Sequence, residues 1–333
     1  MSGRFRVGLS GDLRDGLGNP SFGTGPLRLL DVPGIDWCWL EPAEAVDAAT
    51  LAAFDALYIN TPRVAAAALN AAAPLRTRII ARHGVGYDSV DVAACTDAGV
   101  LVTIQPEGVR RPVAVAALTL VLALSQRLLI KDRLTRNGGW AARQDHMGTG
   151  LIGRTLGVIG AGRIGRELLA LARPFGLRLL AADPQVAAEA LAPLDTSLVP
   201  LDILLAESDF VVILTPLTPQ TRGLIGAGAL ARMKPTAQLV NIARGPVVDE
   251  AALIAALRAG QIAGAALDVF EAEPVALDNP LLAMDQVIVT PHALSWTDQC
   301  FAGIAESGLR SILAVRGGRV PDNALNPEAA ARH

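Results

Sequence analysis

The stretch LGVIGAGRIGRELLALARPFGLRLLAADP, Leu156 to Pro184, carries three glycines at dinucleotide-binding spacing, an apolar helical pattern and a lone acid at its end. A bare G-x-G-x-x-G is weak in a chain with 32 glycines, because such hexamers arise by chance. Its context is what counts. Thr155–Ile159 reads as a strand and Arg166–Phe175 as an amphipathic helix, and Asp183 follows a second strand. Gly160 permits the tight turn, Gly162 lets the backbone approach a pyrophosphate, and Gly165 lets helix and strand pack closely. The helix N-terminus then offers unpaired N–H groups to phosphates. Asp183 is placed to accept hydrogen bonds from ribose hydroxyls. A carboxylate there repels a 2′-phosphate and Pro184-Gln185 bring no arginine, so the expected cofactor is NAD rather than NADP.

Outward from this unit the chain alternates strands and helices. Before it, strands are expected at Phe5–Leu9, Trp37–Leu40, Ala56–Ile59, Arg78–Ala81 and Val100–Thr103, with helices at Arg63–Ala73 and Val90–Ala98. A long helix, roughly Arg111 to Arg136, follows. After it come strands at Leu156–Ile159, Arg178–Ala181, Phe210–Leu214, Gln238–Ile242, Gly264–Asp268 and Val287–Thr290, then a helical tail to about Val315. Strand–helix alternation implies mostly parallel, helix-covered sheets, here two of them. The glycine-rich Gly11–Gly25 lacks periodicity and is placed only as a surface segment.

At 333 residues the chain suits two domains of ordinary size, and 51% apolar with 18% charged residues favours large buried interiors. A net charge of −3 with interspersed signs gives no field for nucleic acid or anionic lipid. Cys38, Cys95 and Cys300 are odd in number and far apart, so neither a disulfide framework nor a zinc site is expected, and no metal. The start MSGRFRVGLSGD lacks an apolar signal core, and the apolar run Val113–Leu124 is too short to span a bilayer. The expected setting is cytoplasmic.

Three segments in the second half end strands with charged residues: Arg244 after Gln238–Ile242, Asp268 and Glu273 after Gly264–Leu267, and His292 after Val287–Thr290. Ligands gather at such ends of open α/β sheets. Histidine occurs only four times, so His292 beside a dinucleotide site is a natural acid–base candidate. His83 and His146 read as structural or surface groups, and His333 as tail. Arg63, in NTPRV, either reaches a substrate phosphate or second carboxylate or merely solvates a helix end.

These segments, with RHGVGYDSVDVAACTDAGV, GRTLGVIGAGRIG, LARMKPTAQLVNIARGPVVDEAALIAAL, AGAALDVFEAEP and TPHALS, closely resemble the D-isomer-specific 2-hydroxyacid dehydrogenases over nearly the whole chain. The resemblance implies two doubly wound parallel-sheet domains: an NAD-binding Rossmann domain at 107–295 inserted into a flavodoxin-like substrate domain of 1–106 and 296–333, with the active site in the cleft between them. It implies that Arg244 binds the substrate carboxylate and carbonyl, that His292 is the acid–base group and that Glu273 hydrogen-bonds His292. By the same resemblance the N–H groups of Gly84-Val85-Gly86 hold the carboxylate. Arg163, Ile164, Thr215, Pro216, Ala243, Arg244, Asp268 and His292 meet NAD, with Asp268 facing the nicotinamide amide. Homodimers joined through the long helix are the family habit.

The implied reaction moves hydride between NAD(H) and a small 2-hydroxy or 2-oxo acid, as in hydroxypyruvate or glyoxylate reductases. Val113-Ala114-Val115 departs from the family's Val-Ala-Glu. Glu273 weighs against a formate-dehydrogenase-like branch, which carries glutamine there. Phosphite-type oxidation on the same fold and an NAD(H)-sensing co-repressor-like module are the alternatives.

Overall fold

The computed structural model describes residues 4–332, so His333 lies outside the described residues. Five short apolar runs form one sheet: β1 (Phe5–Leu9), β2 (Ile35–Trp39), β3 (Ala56–Ile59), β4 (Ile79–Arg82) and β5 (Leu101–Thr103). They lie in the order β2-β1-β3-β4-β5, every pair parallel, which is flavodoxin-like topology. Residues Ala56 to Ile59 are wholly buried, as expected of a parallel strand covered on both faces.

Seven further strands form the second sheet: β6 (Thr155–Ile159), β7 (Arg178–Ala182), β8 (Thr196–Leu198), β9 (Phe210–Ile213), β10 (Gln238–Asn241), β11 (Gly264–Leu267) and β12 (Val287–Val289). Their order is β12-β11-β10-β9-β6-β7-β8, again all parallel. The chain winds outward from β6 in one direction and then returns to lay β9 on its other side. The switch in strand order therefore falls at the end of β6, where open α/β sheets bind ligands. Two apolar layers, one containing Ile213 and Leu239 and the other Val158 and Val212, cover the two faces. Contacts group Met1–Pro112 with Trp296–His333 as one compact unit and Val113–Ser295 as another.

The single long helix expected at Arg111–Arg136 is two helices, Pro106–Ser125 and Leu128–Arg136, broken where Arg127 takes φ +50°. The Ser125 carbonyl accepts the Thr149 N–H at 2.7 Å, and a Cβ on Gly148 would lie 2.6 Å from that same oxygen. The returning chain thus occupies the place where the next helical turn would run. The first helix has 20 residues and is long and apolar enough to cross a bilayer, which the shorter run Val113–Leu124 did not suggest. Its apolar face, including Ala117, Leu120 and Val121, instead packs on Leu156, Leu168 and Phe210. Val115, where the family often has glutamate, points outward at 46% exposure.

Gly11–Gly25 is also more than a surface segment. Leu13 and Phe22 are buried, and the Phe22 ring meets Tyr58 and His83 at 6.1 and 6.3 Å. His83 is a core residue whose Nδ1 hydrogen-bonds the Tyr58 hydroxyl. Burial, reinforced by the Arg82 charge, pushes its imidazole down to about 3, so it is neutral at physiological pH.

Candidate active site

The turn after β6 is built as a dinucleotide site requires. Gly160 has φ +95°, and a Cβ there would lie 2.8 Å from the Thr215 amide nitrogen at the end of β9. A Cβ on Gly165 would collide with the Gly160 carbonyl, so helix Arg163–Ala172 can start this close to the strand only with glycine present. Gly162 has open space in front of it, and neither its amide nor that of Ile164 finds a protein acceptor among the described residues. Unpaired N–H groups at a helix N-terminus facing open space fit a pyrophosphate.

Asp183, after β7, does more than its spacing suggested. One carboxylate oxygen accepts the Ala161 N–H at 2.8 Å and the other the Gln185 N–H at 2.8 Å. It ties the glycine-rich turn to the neighbouring strand, and carboxylate lone pairs remain for ribose hydroxyls.

Across the sheet, β10, β11 and β12 deliver the charged groups. Asn241, the last residue of β10, is 1% exposed. Its amide donates to the Arg244 carbonyl at 3.0 Å while its oxygen accepts the Ala243 N–H at 3.1 Å. Ala243 and Arg244 are thereby fixed, and Arg244 Nη1 donates to the Ala243 carbonyl at 2.7 Å. The next residue, Gly245, runs so close to the Phe270–Glu271 backbone that no side chain fits, which seats the arginine loop against the segment carrying Glu273.

Glu273 accepts the Phe270 N–H at 3.0 Å with Oε1, and its Oε2 meets His292 Nδ1 at 2.7 Å. Both side chains stay partly open to solvent, 37% and 46% exposed. Burial alone would raise the Glu273 carboxyl. The His292 and Phe270 hydrogen bonds, with the His292 and Arg244 charges, outweigh it and hold the group below the usual carboxylate range. An anion is thus kept beside the imidazole. His292 has φ +54°, a left-handed conformation that costs a non-glycine residue about 1 kcal/mol or more. Asp268, 2% exposed, accepts the Thr290 hydroxyl and the Ala293 and Leu294 amides on a single oxygen.

Arg244, Glu273, His292 and Asp268 therefore share one edge of one sheet. Thr215 and Pro216 leave β9 beside Gly160, and Thr221 Oγ1 donates to the Pro216 carbonyl at 2.6 Å. In the other unit, Gly84-Val85-Gly86 follows β4. These three amides donate to no acceptor among the described residues, while the Gly84 carbonyl accepts the Gln105 N–H at 2.8 Å. Such a row of unpaired amides suits an anion. Arg63 is exposed and, with Asp88, Ser89 and Asp91, lines a cavity of about 500 Å³. His146 sits in the Trp140–His146 turn. Among the described residues no His, Cys, Asp and Glu cluster suited to a metal ion occurs. Asn241 and Thr290 are the residues that motif reading passed over. Both sit inside quoted motifs; Asn241 braces its own loop, whereas the partner of Thr290, Asp268, lies on another loop.

Comparison with known proteins identifies the family. The family model for the NAD binding domain of the D-isomer specific 2-hydroxyacid dehydrogenases matches residues 118–293. The chain belongs to that family. It is 42% identical over 260 residues to a glyoxylate reductase from Korarchaeum cryptofilum, covering 77% of this chain and 78% of that protein. A D-3-phosphoglycerate dehydrogenase from Archaeoglobus fulgidus is 39% identical over 274 residues, covering 82% of this chain but 51% of the relative. The crystal structure of the TT0316 protein from Thermus thermophilus superposes with TM-score 0.83 at 32% identity, over 96% of this chain and all of that one.

The protein is accordingly an NAD-dependent 2-hydroxyacid dehydrogenase, and its glycine-rich turn has the open space and unpaired amides that a dinucleotide's phosphates need. The Asp183 carboxylate beside that turn predicts a marked preference for NAD over NADP in kcat/KM. Asp183→Ala narrows the gap, chiefly by weakening NAD. Equal kcat/KM for the two cofactors in the unaltered enzyme would contradict the ribose assignment.

Proposed function

We propose that the enzyme interconverts a small 2-oxo acid of the glyoxylate or hydroxypyruvate class and its 2-hydroxy acid, with Arg244, Glu273 and His292 as the working side chains. The observation that carries this is the 2.7 Å contact between Glu273 and His292, on the sheet edge that also presents Arg244. The substrate class comes from the glyoxylate reductases among its relatives.

NAD(H) supplies or accepts the hydride, so the chain's task is to orient, polarise and move a proton. Arg244 presents a planar fork that matches a carboxylate or a carboxylate–carbonyl pair, with geometry that a lysine lacks. Its charge draws electron density toward the carbonyl oxygen. His292, as imidazolium, gives that oxygen its proton through Nε2 while Nδ1 stays bonded to Glu273. In the reverse direction neutral imidazole takes the proton back. Glu273 holds the ring's orientation through Nδ1.

Oxidation of NADH by glyoxylate, hydroxypyruvate and a panel of about a dozen other small 2-oxo acids tests the reading. Turnover of none would overturn it in favour of an NAD(H)-sensing module. Glu273→Gln tests the pair itself. The contact helps to hold the Glu273 carboxyl below the usual carboxylate range, so an anion accepts from the ring at Nδ1. Without that anion the ring is held less firmly, and kcat for reduction is expected to fall about tenfold with KM for the 2-oxo acid little changed. Steady-state kinetics check the split. An unchanged kcat would leave Glu273 a purely structural residue.

A further inference from the structure

The most heavily engaged carboxylate at this sheet edge is neither Glu273 nor an exposed acid. Asp268 directly follows β11, is 2% exposed, and accepts three hydrogen bonds on Oδ1 alone. The donors are the Thr290 hydroxyl at 2.6 Å, the Ala293 amide at 3.1 Å and the Leu294 amide at 3.2 Å. They bracket His292, which lies between Thr290 and Ala293 in the chain. The His292 amide turns back onto the Thr290 carbonyl at 3.1 Å, and its φ is +54°. A histidine stays left-handed only where its surroundings over-determine it, and here they converge on one buried oxygen.

We propose that Asp268 is a positioning residue for proton transfer. By tying both shoulders of the His292 turn to its Oδ1, it sets the backbone from which the imidazole reaches Glu273. This rests on His292 being the acid–base group, and it gives Asp268 a task apart from contact with the nicotinamide amide. The chemistry suits the task. A carboxylate oxygen accepts several N–H and O–H donors at once, and its charge strengthens them relative to a neutral acceptor. Glu273 meets the imidazole, the Arg244 charge acts on the Glu273 carboxylate, and Asp268 binds the turn itself.

Three variants grade the tether. Thr290→Val removes one donor while keeping shape and charge. Asp268→Asn keeps an acceptor oxygen, and Asp268→Ala removes it. With the 2-oxo acid that is reduced fastest, kcat is expected to fall about threefold for Thr290→Val and about tenfold for Asp268→Ala, with Asp268→Asn recovering most of the loss. At saturating NADH the loss falls on kcat while KM for the 2-oxo acid changes less than about twofold, because the ring is misplaced for proton delivery and Arg244 still holds the substrate.

An Asp268→Ala enzyme that loses NADH affinity but keeps its kcat at saturating NADH would overturn the proposal, since Asp268 would then act through the cofactor. So would a Thr290→Val enzyme indistinguishable from the parent. If circular dichroism shows that Asp268→Ala does not fold, Thr290→Val and Asp268→Asn decide on the same readouts. His292→Asn, run alongside, separates the two layers. If it retains turnover, the acid–base assignment fails. If it is inactive while the Asp268 and Thr290 variants match the parent, only the tether fails.

Discussion

His292→Asn is expected to reduce 2-oxo acids with a kcat lowered by about 10² to 10⁴, the range for loss of a positioned acid–base group. Asparagine is the informative replacement because it tolerates the left-handed region that His292 occupies at φ +54°. The turn can therefore persist, with the Ala293 and Leu294 amides still on Asp268. What disappears is the proton. NADH affinity should stay near that of the parent, KM for the 2-oxo acid should change little, and the descending limb of the reduction profile should vanish with the group that produced it. Steady-state rates across pH together with NADH fluorescence check all three. Activity within a few-fold of the parent would mean that another group delivers the proton.

Arg244→Lys is the second large effect, expected as a fall in kcat/KM for the 2-oxo acid of between about tenfold and a hundredfold. That is about 1.4 to 2.8 kcal/mol, the size of a charge-assisted hydrogen bond lost with charge retained. The structure explains why lysine cannot compensate. Asn241 holds the Arg244 carbonyl and Arg244 Nη1 is anchored on the Ala243 carbonyl, so the guanidinium is set before substrate arrives. A flexible ammonium has one point charge and no fork to orient. NADH binding should barely change, and a variant with unaltered 2-oxo acid kinetics would remove Arg244 from the substrate site.

Much of this was written in local sequence. Short, mostly apolar runs flanked by polar residues or glycine locate β1, β3 and β6 to within a residue, because strands buried on both faces are rich in apolar side chains. The glycine spacing fixes the turn after β6, because the required backbone conformation belongs to those residues alone. What escaped depends on distant partners. The break at Arg127 has no local sign, since it exists because Thr149 returns to Ser125. β8, three residues of Thr, Ser and Leu at the sheet edge, has too little apolar character to announce itself. The second roles of Asp183 and Asp268 were hidden for the same reason. Each satisfies backbone amides that lie far away in the chain and close in space.

The strand order has a consequence for how such an enzyme can change. Asp183 follows β7, whereas Glu273 and His292 follow β11 and β12, four and five positions away along the sheet. At about 4.8 Å per strand the separation is roughly 20 Å or more, beyond the range over which substitutions usually couple. A change of nucleotide preference and a change of proton delivery should then combine as independent increments of free energy. The sheet acts as a spacer, so a lineage can retune redox partner and operating pH one at a time, without passing through an enzyme that has lost both.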